Sequence, residues 1–205
     1  EQTESLYAQK VRIQQYLEEI FIRQCEFGGY EADDCIAFYC SNSLDEEITI
    51  LSNDRDLTQL VTDGVSLKLL NNPDIIKGDK IRFEKHFIPV ENIKVIKIIC
   101  GDSSDDISGI KGVGIKTVIN TVPEILEKNI NLEYFLNKCR DKYLNGESNF
   151  RVNNIIKGIT KEGELGKDFF ERNKFLVDLS NTILPKESQE EIKGLISENM
   201  DPEGR

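Results

Sequence analysis

The chain has 205 residues, of which 39% are hydrophobic and 31% are charged, with 14 glycines and 5 prolines. This composition excludes a disordered or collagen-like chain and allows a substantial buried core. No stretch approaches the roughly 18 consecutive apolar residues of a membrane-spanning helix. Residues 1–10 also lack the apolar region of a secretory signal. We therefore expect no membrane partner.

The cysteines indicate the cellular compartment, and the methionine indicates whether the sequence belongs to a longer polypeptide. The chain has five cysteines and no CxxC pair, which argues against disulfides or a zinc site and favours a reducing compartment. We therefore expect the cytoplasm. Met200 is the single methionine, so we expect the chain to be a piece of a longer polypeptide.

The formal charge of −11 is unevenly distributed. Residues 1–64 contain 4 Lys/Arg against 14 Asp/Glu, whereas residues 65–161 contain 16 against 12. An acidic segment followed by a mildly basic one is what a carboxylate metal centre beside a phosphate-binding surface would produce. The alternative, that the acidic residues only keep the protein soluble, is equally compatible with the charge alone.

The first 88 residues show an alternation of helical and strand patterns. The patterns predict helices at 4–20, 31–43 and 55–61, and strands at 21–26, 47–54, 65–71 and 79–87, the last at a sheet edge. This order is typical of an α/β layer with a parallel sheet.

After Pro89 the hydrophobic pattern becomes almost wholly helical. The predicted helices are 89–100, 115–121, 123–129, 132–145, 148–160, 167–179 and 187–198. We therefore predict two domains, an α/β core at 1–88 and a helical domain at 89–205.

Three acidic motifs fall where a strand ends or a helix begins. They are Glu31-Ala32-Asp33-Asp34, Ser52-Asn53-Asp54-Arg55-Asp56 and Gly101-Asp102-Ser103-Ser104-Asp105-Asp106. Clustered carboxylates without convergent His or Cys suit a hard cation such as Mg²⁺ or Mn²⁺. Each motif alone could instead cap a helix N-terminus. Because capping does not require paired acids three times, the three together favour a metal site.

A glycine-rich segment follows the third acidic motif. In residues 107–119, Gly109, Gly112 and Gly114 alternate with apolar residues before Lys116-Thr117 opens a helix. Glycines permit a tight hairpin, and backbone N–H groups at a helix start bind anions. The pattern favours a helix-hairpin-helix element that binds a DNA phosphate chain. Its carbonyls could hold K⁺, and an ordinary turn is the alternative.

Together these segments resemble the 5′-nuclease superfamily. The resemblance rests on EADDCIA (31–37), ILSNDRDLTQL (50–60) and GDSSDDISGIKGVGIKT (101–117). The superfamily includes flap endonucleases, the 5′-nuclease domain of bacterial DNA polymerase I, and bacteriophage 5′-3′ exonucleases and ribonuclease H. It implies a partial PIN-like core with a parallel sheet, followed by a helical region that contains the helix-hairpin-helix element.

The resemblance also implies roles for individual residues. Two divalent ions, Mg²⁺ with Mn²⁺ as an alternative, would be held by one set of carboxylates: Glu31, Asp33, Asp34, Asp54, Asp56, Asp102 and Asp105. Asp54 and Asp102 are the expected catalytic residues, and Asp34 is the weakest match. DNA would be bound by the hairpin residues Lys111, Gly112, Val113, Gly114, Lys116 and Thr117.

The family pattern also includes parts that have no counterpart here. An N-terminal strand with a metal-binding Asp, a second Asp and a basic arch would all precede the helix at 4–20. We therefore expect this polypeptide by itself to have little or no nuclease activity.

The leading hypothesis is a metal-dependent 5′-3′ exonuclease or flap endonuclease acting on 5′ ends or flaps of DNA, or on RNA–DNA hybrids, in replication or repair. Replication proteins are expected partners, and for a phage-encoded chain the expected location is the host cytoplasm. Two alternatives stay open: a non-catalytic DNA-binding fragment of such a nuclease, and a PIN-type ribonuclease.

Overall fold

The computed structural model describes residues 2–43, 45–83, 85–163, 166, 168–180 and 183–199. In these residues the α-helices are α1 (Gln2–Glu19), α2 (Ala32–Asn42), α3 (Glu91–Cys100), α4 (Ile115–Thr121), α5 (Leu132–Leu144), α6 (Phe150–Lys157), α7 (Asp168–Val177) and α8 (Lys186–Asn199). Short 3-10 helices span Asp56–Leu60 and Pro123–Leu126. The strands are β1 (Ile48–Leu51), β2 (Val65–Lys68), β3 (Ile75–Ile76), β4 (Lys80–Phe83) and β5 (His86–Pro89).

The chain divides into two compact units. The first comprises Glu1–Leu44 with Thr182–Arg205, and the second comprises Asp45–Asn181. In the first unit α2 packs against α8, and their contact buries Phe38, Ile192 and Ile196. This grouping follows packing, whereas the predicted boundary near residue 89 separates an α/β core from a helical domain by secondary-structure pattern. The predicted boundary stays a prediction.

The sheet of the second unit begins with a parallel pair. Strand β1 pairs in parallel with β2, from Ile48 opposite Val65 to Leu51 opposite Lys68. The short β3 then adds antiparallel to β2, and sequence analysis did not predict it. The predicted α/β class with parallel strands is confirmed.

Two predicted strands differ from the structure. Residues 22–27 follow the turn that ends helix α1 and form no strand, since no described strand pairs with them. Phe21 has a φ of 61°, and Ile22 N donates to Leu17 O at 2.8 Å. The expected single edge strand at 79–87 is instead the antiparallel pair β4–β5.

Helix α3 is the centre of the second unit's core. Five of its apolar residues are buried, namely Ile93, Val95, Ile96, Ile98 and Ile99. The fully buried Asn92 fixes the start of the helix, since its Nδ2 donates to Ile125 O and Lys128 O, both at 2.8 Å. At the other end Asn173 of α7 donates from Nδ2 to Ile98 O at 3.0 Å and to Ser108 O at 2.8 Å. The segment after α3 is therefore anchored on a rigid helix.

The helical prediction after Pro89 holds for most of the described residues. The predicted helix at 123–129 is a 3-10 helix that ends at Leu126, and α6 is shorter than predicted because it ends at Gly158, which has a left-handed φ of 63°. Among the described helices, none has both the length and the apolar character needed to cross a bilayer.

Candidate functional site

Asp56 is held by the turn that follows β1. Ser52 N donates to Lys68 O at 3.2 Å, which extends the parallel ladder. Asp54 N donates to Ser52 Oγ at 3.0 Å, and Asp56 N donates to Asp54 Oδ1 at 2.8 Å. The 3-10 helix begins at Asp56. Asp56 therefore lies beyond the carboxyl end of β1, the edge where open α/β sheets bind ligands.

Asp102 is held by a tight loop after α3. Gly101 ends the helix with a φ of 74°. Asp102 and Ile107 then exchange backbone hydrogen bonds of 2.9 and 2.8 Å, which close the loop. Ser104 donates to Asp102 Oδ1 from its backbone N at 2.9 Å and also from its hydroxyl. These bonds fix the orientation of the Asp102 carboxylate.

Three carboxylates converge at this point. Asp56, Asp102 and Asp105 each offer an oxygen atom, and these atoms lie within 4.8 Å of one another. Within the described part of the chain, this is the one group of three or more His, Cys, Asp or Glu side chains with such spacing. We call these three residues the aspartate cluster.

Lys97 of α3 neutralises part of the charge of the aspartate cluster. Its Nζ donates to Asp102 Oδ2 at 2.7 Å and also to Asp56 Oδ1. The Lys97 side chain is only 8% exposed. Three carboxylates and one ammonium have a formal charge of −2, which matches one divalent cation, and carboxylate oxygens are the ligands that Mg²⁺ prefers. The residues present therefore fit a divalent ion.

The pKa shifts follow from this arrangement. Burial alone would raise the pKa of Asp102, but hydrogen bonds from Lys97 and Ser104 outweigh it and lower that pKa to about 2. Burial opposes the charge of Lys97, yet its bonds to Asp102 and Asp56 raise the Lys97 pKa above the ordinary value. Desolvation, followed by repulsion from Asp56 and Asp102, raises the pKa of Asp105. Asp105 is thus the carboxylate that gains most from an additional cation.

Lys97 was missed as a site residue by sequence analysis. Its position in an apolar run suggested only that the run cannot span a membrane. A usable signal was the position of Lys97, five residues before Asp102 in an apolar helix. A buried Lys without a carboxylate partner loses its hydration without compensation, so an acidic partner nearby is expected.

Asp54 does not belong to the aspartate cluster, although it lies beside it. Its Oδ1 accepts the bond from Asp56 N, and its negative charge contributes to the raised pKa of Asp105. The predicted catalytic and metal-binding roles of Asp54 stay predictions.

The first acidic motif lies in the first unit, where it opens α2. Glu31 is the N-cap residue, and its backbone N donates to Asp34 Oδ2 at 3.2 Å. Asp34 N donates to Asp33 Oδ1 at 2.9 Å. These bonds show the capping role that sequence analysis kept as an alternative, and the predicted metal-binding roles of the three residues stay predictions.

The glycine-rich segment joins α3 to α4 within the second unit. Ile110 and Val113 are buried, whereas Lys111 and Lys116 are exposed. Gly112 has a φ of 73°, which favours glycine. Thr117 N donates to Gly114 O at 2.8 Å, so this N–H group of the predicted DNA-binding set already has a partner.

Comparison with known proteins identifies relatives of this chain. Residues 1–87 match the family model described as 5′-3′ exonuclease, N-terminal resolvase-like domain. The chain is 40% identical over 111 residues to a 5′-3′ exonuclease of Bacillus subtilis, covering 52% of this chain and 37% of that protein. The predicted resemblance to the 5′-nuclease superfamily is confirmed.

A second relative within this superfamily extends the match. A 5′-3′ exonuclease of Halalkalibacterium halodurans is 31% identical over 177 residues, covering 81% of this chain and 58% of that protein. The chain thus spans between about a third and three-fifths of the length of these two relatives.

A solved structure shows the same fold. The flap endonuclease of bacteriophage T5, in a pseudo-enzyme-product complex with DNA and metal ions, superposes with a TM-score of 0.65 at 21% identity. The match covers 83% of this chain and 61% of that one. At this identity the likeness concerns the fold alone.

Proposed function

We propose that this chain is part of a metal-dependent 5′-3′ exonuclease or flap endonuclease that hydrolyses phosphodiester bonds at DNA 5′ ends. The aspartate cluster carries the proposal, because three acidic side chains converge at a sheet edge in a chain related to 5′-3′ exonucleases. Carboxylates packed together repel one another, which destabilises the fold unless a cation neutralises them.

The residues of the site have distinct tasks in this proposal. Asp56, Asp102 and Asp105 would hold one divalent ion, for which we propose Mg²⁺ with Mn²⁺ as the alternative. When bound, such an ion supplies a water of lowered pKa and neutralises charge on the phosphate. Lys97 orients the carboxylates of Asp56 and Asp102 and neutralises part of their charge. A second ion would need further carboxylates, for which Asp54, Glu31, Asp33 and Asp34 are the candidates.

The glycine-rich segment is the proposed DNA contact. Lys111, Gly112, Val113, Gly114, Lys116 and Thr117 would bind the phosphate chain without reading the bases. The bacteriophage T5 structure of the same fold contains DNA and metal ions, which supports DNA as the substrate class. RNA–DNA hybrids and replication proteins stay proposals. A K⁺ ion held by backbone carbonyls of the glycine-rich segment also stays a proposal.

The first test is cleavage with the protein in excess over a 5′-flap DNA labelled at its 5′ end. We expect slow release of label that requires Mg²⁺ or Mn²⁺, and we expect Asp102→Asn to abolish it, since that change removes a charge that holds the ion. The control is Asp63→Asn, which also removes one negative charge but at an exposed position of the same unit. It should leave the rate unchanged.

Two outcomes would overturn this proposal. Because we expect little or no activity of this polypeptide by itself, the decisive reaction also contains a polypeptide that supplies the N-terminal strand and basic arch of the family pattern. DNA binding without any product in that reaction, even with Mn²⁺, would favour the non-catalytic DNA-binding alternative. Cleavage of single-stranded RNA in preference to the flap DNA would favour the PIN-type ribonuclease.

A further inference from the structure

Helix α6 contacts the glycine-rich segment through three side chains. Asn154 Nδ2 donates to Lys111 O at 2.9 Å, and Arg151 Nε donates to Gly112 O at 3.0 Å. The ring of Phe150 lies over Gly112, since a Cβ on that glycine would stand 3.4 Å from Phe150 Cε2. The glycine-rich segment is thus supported by the first turns of α6.

Arg151 is held in a defined position with part of its guanidinium group still available. Its Cζ lies 4.8 Å from the centre of the Phe150 ring, an arrangement that favours a cation over an aromatic face. The residue is exposed, and no described residue forms an ion pair with it. Nε is engaged by Gly112, which leaves the two terminal nitrogens to bind an anion.

The two segments also form a basic surface in an acidic protein. Residues 107–123 contain Lys111 and Lys116 and no acidic residue, and residues 148–161 contain Arg151, Lys157 and Lys161 and no acidic residue. The segments are joined by backbone hydrogen bonds, from Lys111 N to Ile159 O at 2.9 Å and from Lys161 N to Gly109 O at 3.1 Å. All five basic residues are exposed. The nearest acid along the chain, Glu162, accepts a hydrogen bond from Ser108.

We infer that α6 and the segment that follows it complete the DNA-binding surface, and that Arg151 is a phosphate ligand on the backbone of duplex DNA. This inference rests on the proposed function and assigns a binding role to residues outside the glycine-rich motif. Five cations without an acid on two joined segments complement the phosphate chain, whose counterions they would release. Phe150 then serves to hold the guanidinium flat beside Gly112.

The test is fluorescence anisotropy with a labelled blunt duplex in EDTA, titrated with NaCl so that neither divalent ions nor K⁺ contribute. We expect Arg151→Ala to weaken binding about tenfold and to lower the slope of log K against log [NaCl] by about 0.9. Arg151→Gln keeps a hydrogen-bond donor for Gly112 O but loses the charge, and should lower the slope equally. Arg151→Lys keeps the charge and should retain the slope.

Controls separate this inference from the proposed function. Arg140→Ala removes an exposed arginine of α5 that bonds Asn137 on its own helix, and it should leave the slope unchanged. A slope lowered by Lys111→Ala but not by Arg151→Gln would overturn the inference and leave the proposed function standing. An unchanged slope with a lowered melting temperature would assign Arg151 a purely structural role. A wild-type chain that binds no duplex would overturn both.

Discussion

Replacing Lys97 with Met should lower the stability of the metal-free protein by about 3 kcal/mol, because breaking a buried ion pair leaves uncompensated charge. The ammonium is buried and bonds both Asp56 and Asp102. Met has a similar volume and no charge, so the loss reflects electrostatics rather than a cavity. Urea unfolding in EDTA measures the effect. Saturating Mg²⁺ should stabilise the Lys97→Met variant more than the wild type, since the variant lacks a cation in the aspartate cluster.

Lys142→Met is the control for this prediction. Lys142 lies on α5 of the same unit and pairs with Glu147 at 4.0 Å, where the Glu147 side chain is 63% exposed. Such surface pairs contribute at most about 1 kcal/mol. If Lys97→Met costs no more than Lys142→Met, or if Mg²⁺ stabilises both variants equally, Lys97 does not hold the charge of the cluster.

Replacing Gly109 with Ala should destabilise the second unit by more than about 4 kcal/mol, a loss typical of clashes that a core cannot relieve. A Cβ on Gly109 would overlap the carbonyl group of Cys100 at the end of α3. The clashing atoms of Cys100 belong to its backbone, so rotation of a side chain cannot relieve the clash. The loop that carries Asp102 and Asp105 would have to move. Thermal unfolding followed by circular dichroism measures the loss.

Gly114→Ala provides the comparison within the same segment. Gly114 has a φ of −137°, and a Cβ there would meet no heavy atom within 4 Å. We expect its melting temperature to change little, because alanine adopts this backbone conformation without strain. Equal stabilities of the two variants would show that the loop does not pack against α3 as described.

The fold was predictable where the pattern of residues is local. The hydrophobic pattern of residues 47–71 predicted the two strands of the parallel β1–β2 pair, and the apolar residues at 89–100 predicted α3. Burial of one face of a strand or helix produces a periodic pattern of apolar residues in the sequence. The strand expected at 21–26 failed because an apolar stretch does not reveal whether a pairing partner exists. The β4–β5 pair was read as one strand because the sequence between the two strands contains no Asn-Gly or Asp-Gly pair.

The site was predictable in its acidic residues and not in their partners. Asp56, Asp102 and Asp105 were predicted, since paired acids at segment ends are visible as a motif. Lys97 was missed because its bond to Asp56 joins residues 41 positions apart, and because the five-residue spacing to Asp102 was not used. The contact of Arg151 with Gly112 spans 39 residues, a separation at which tertiary packing alone brings residues together.

The most direct test of the aspartate cluster is a Mn²⁺ titration followed by electron paramagnetic resonance of the free ion. The wild-type chain should bind Mn²⁺, and Asp102→Asn should weaken binding by about tenfold or more, because losing a ligand should cost at least as much affinity as losing an outer-shell partner. Asp106→Asn, in the same loop but outside the cluster, should bind as the wild type does. Equal Mn²⁺ affinity of the Asp102→Asn variant and the wild type would contradict a metal centre at Asp56, Asp102 and Asp105.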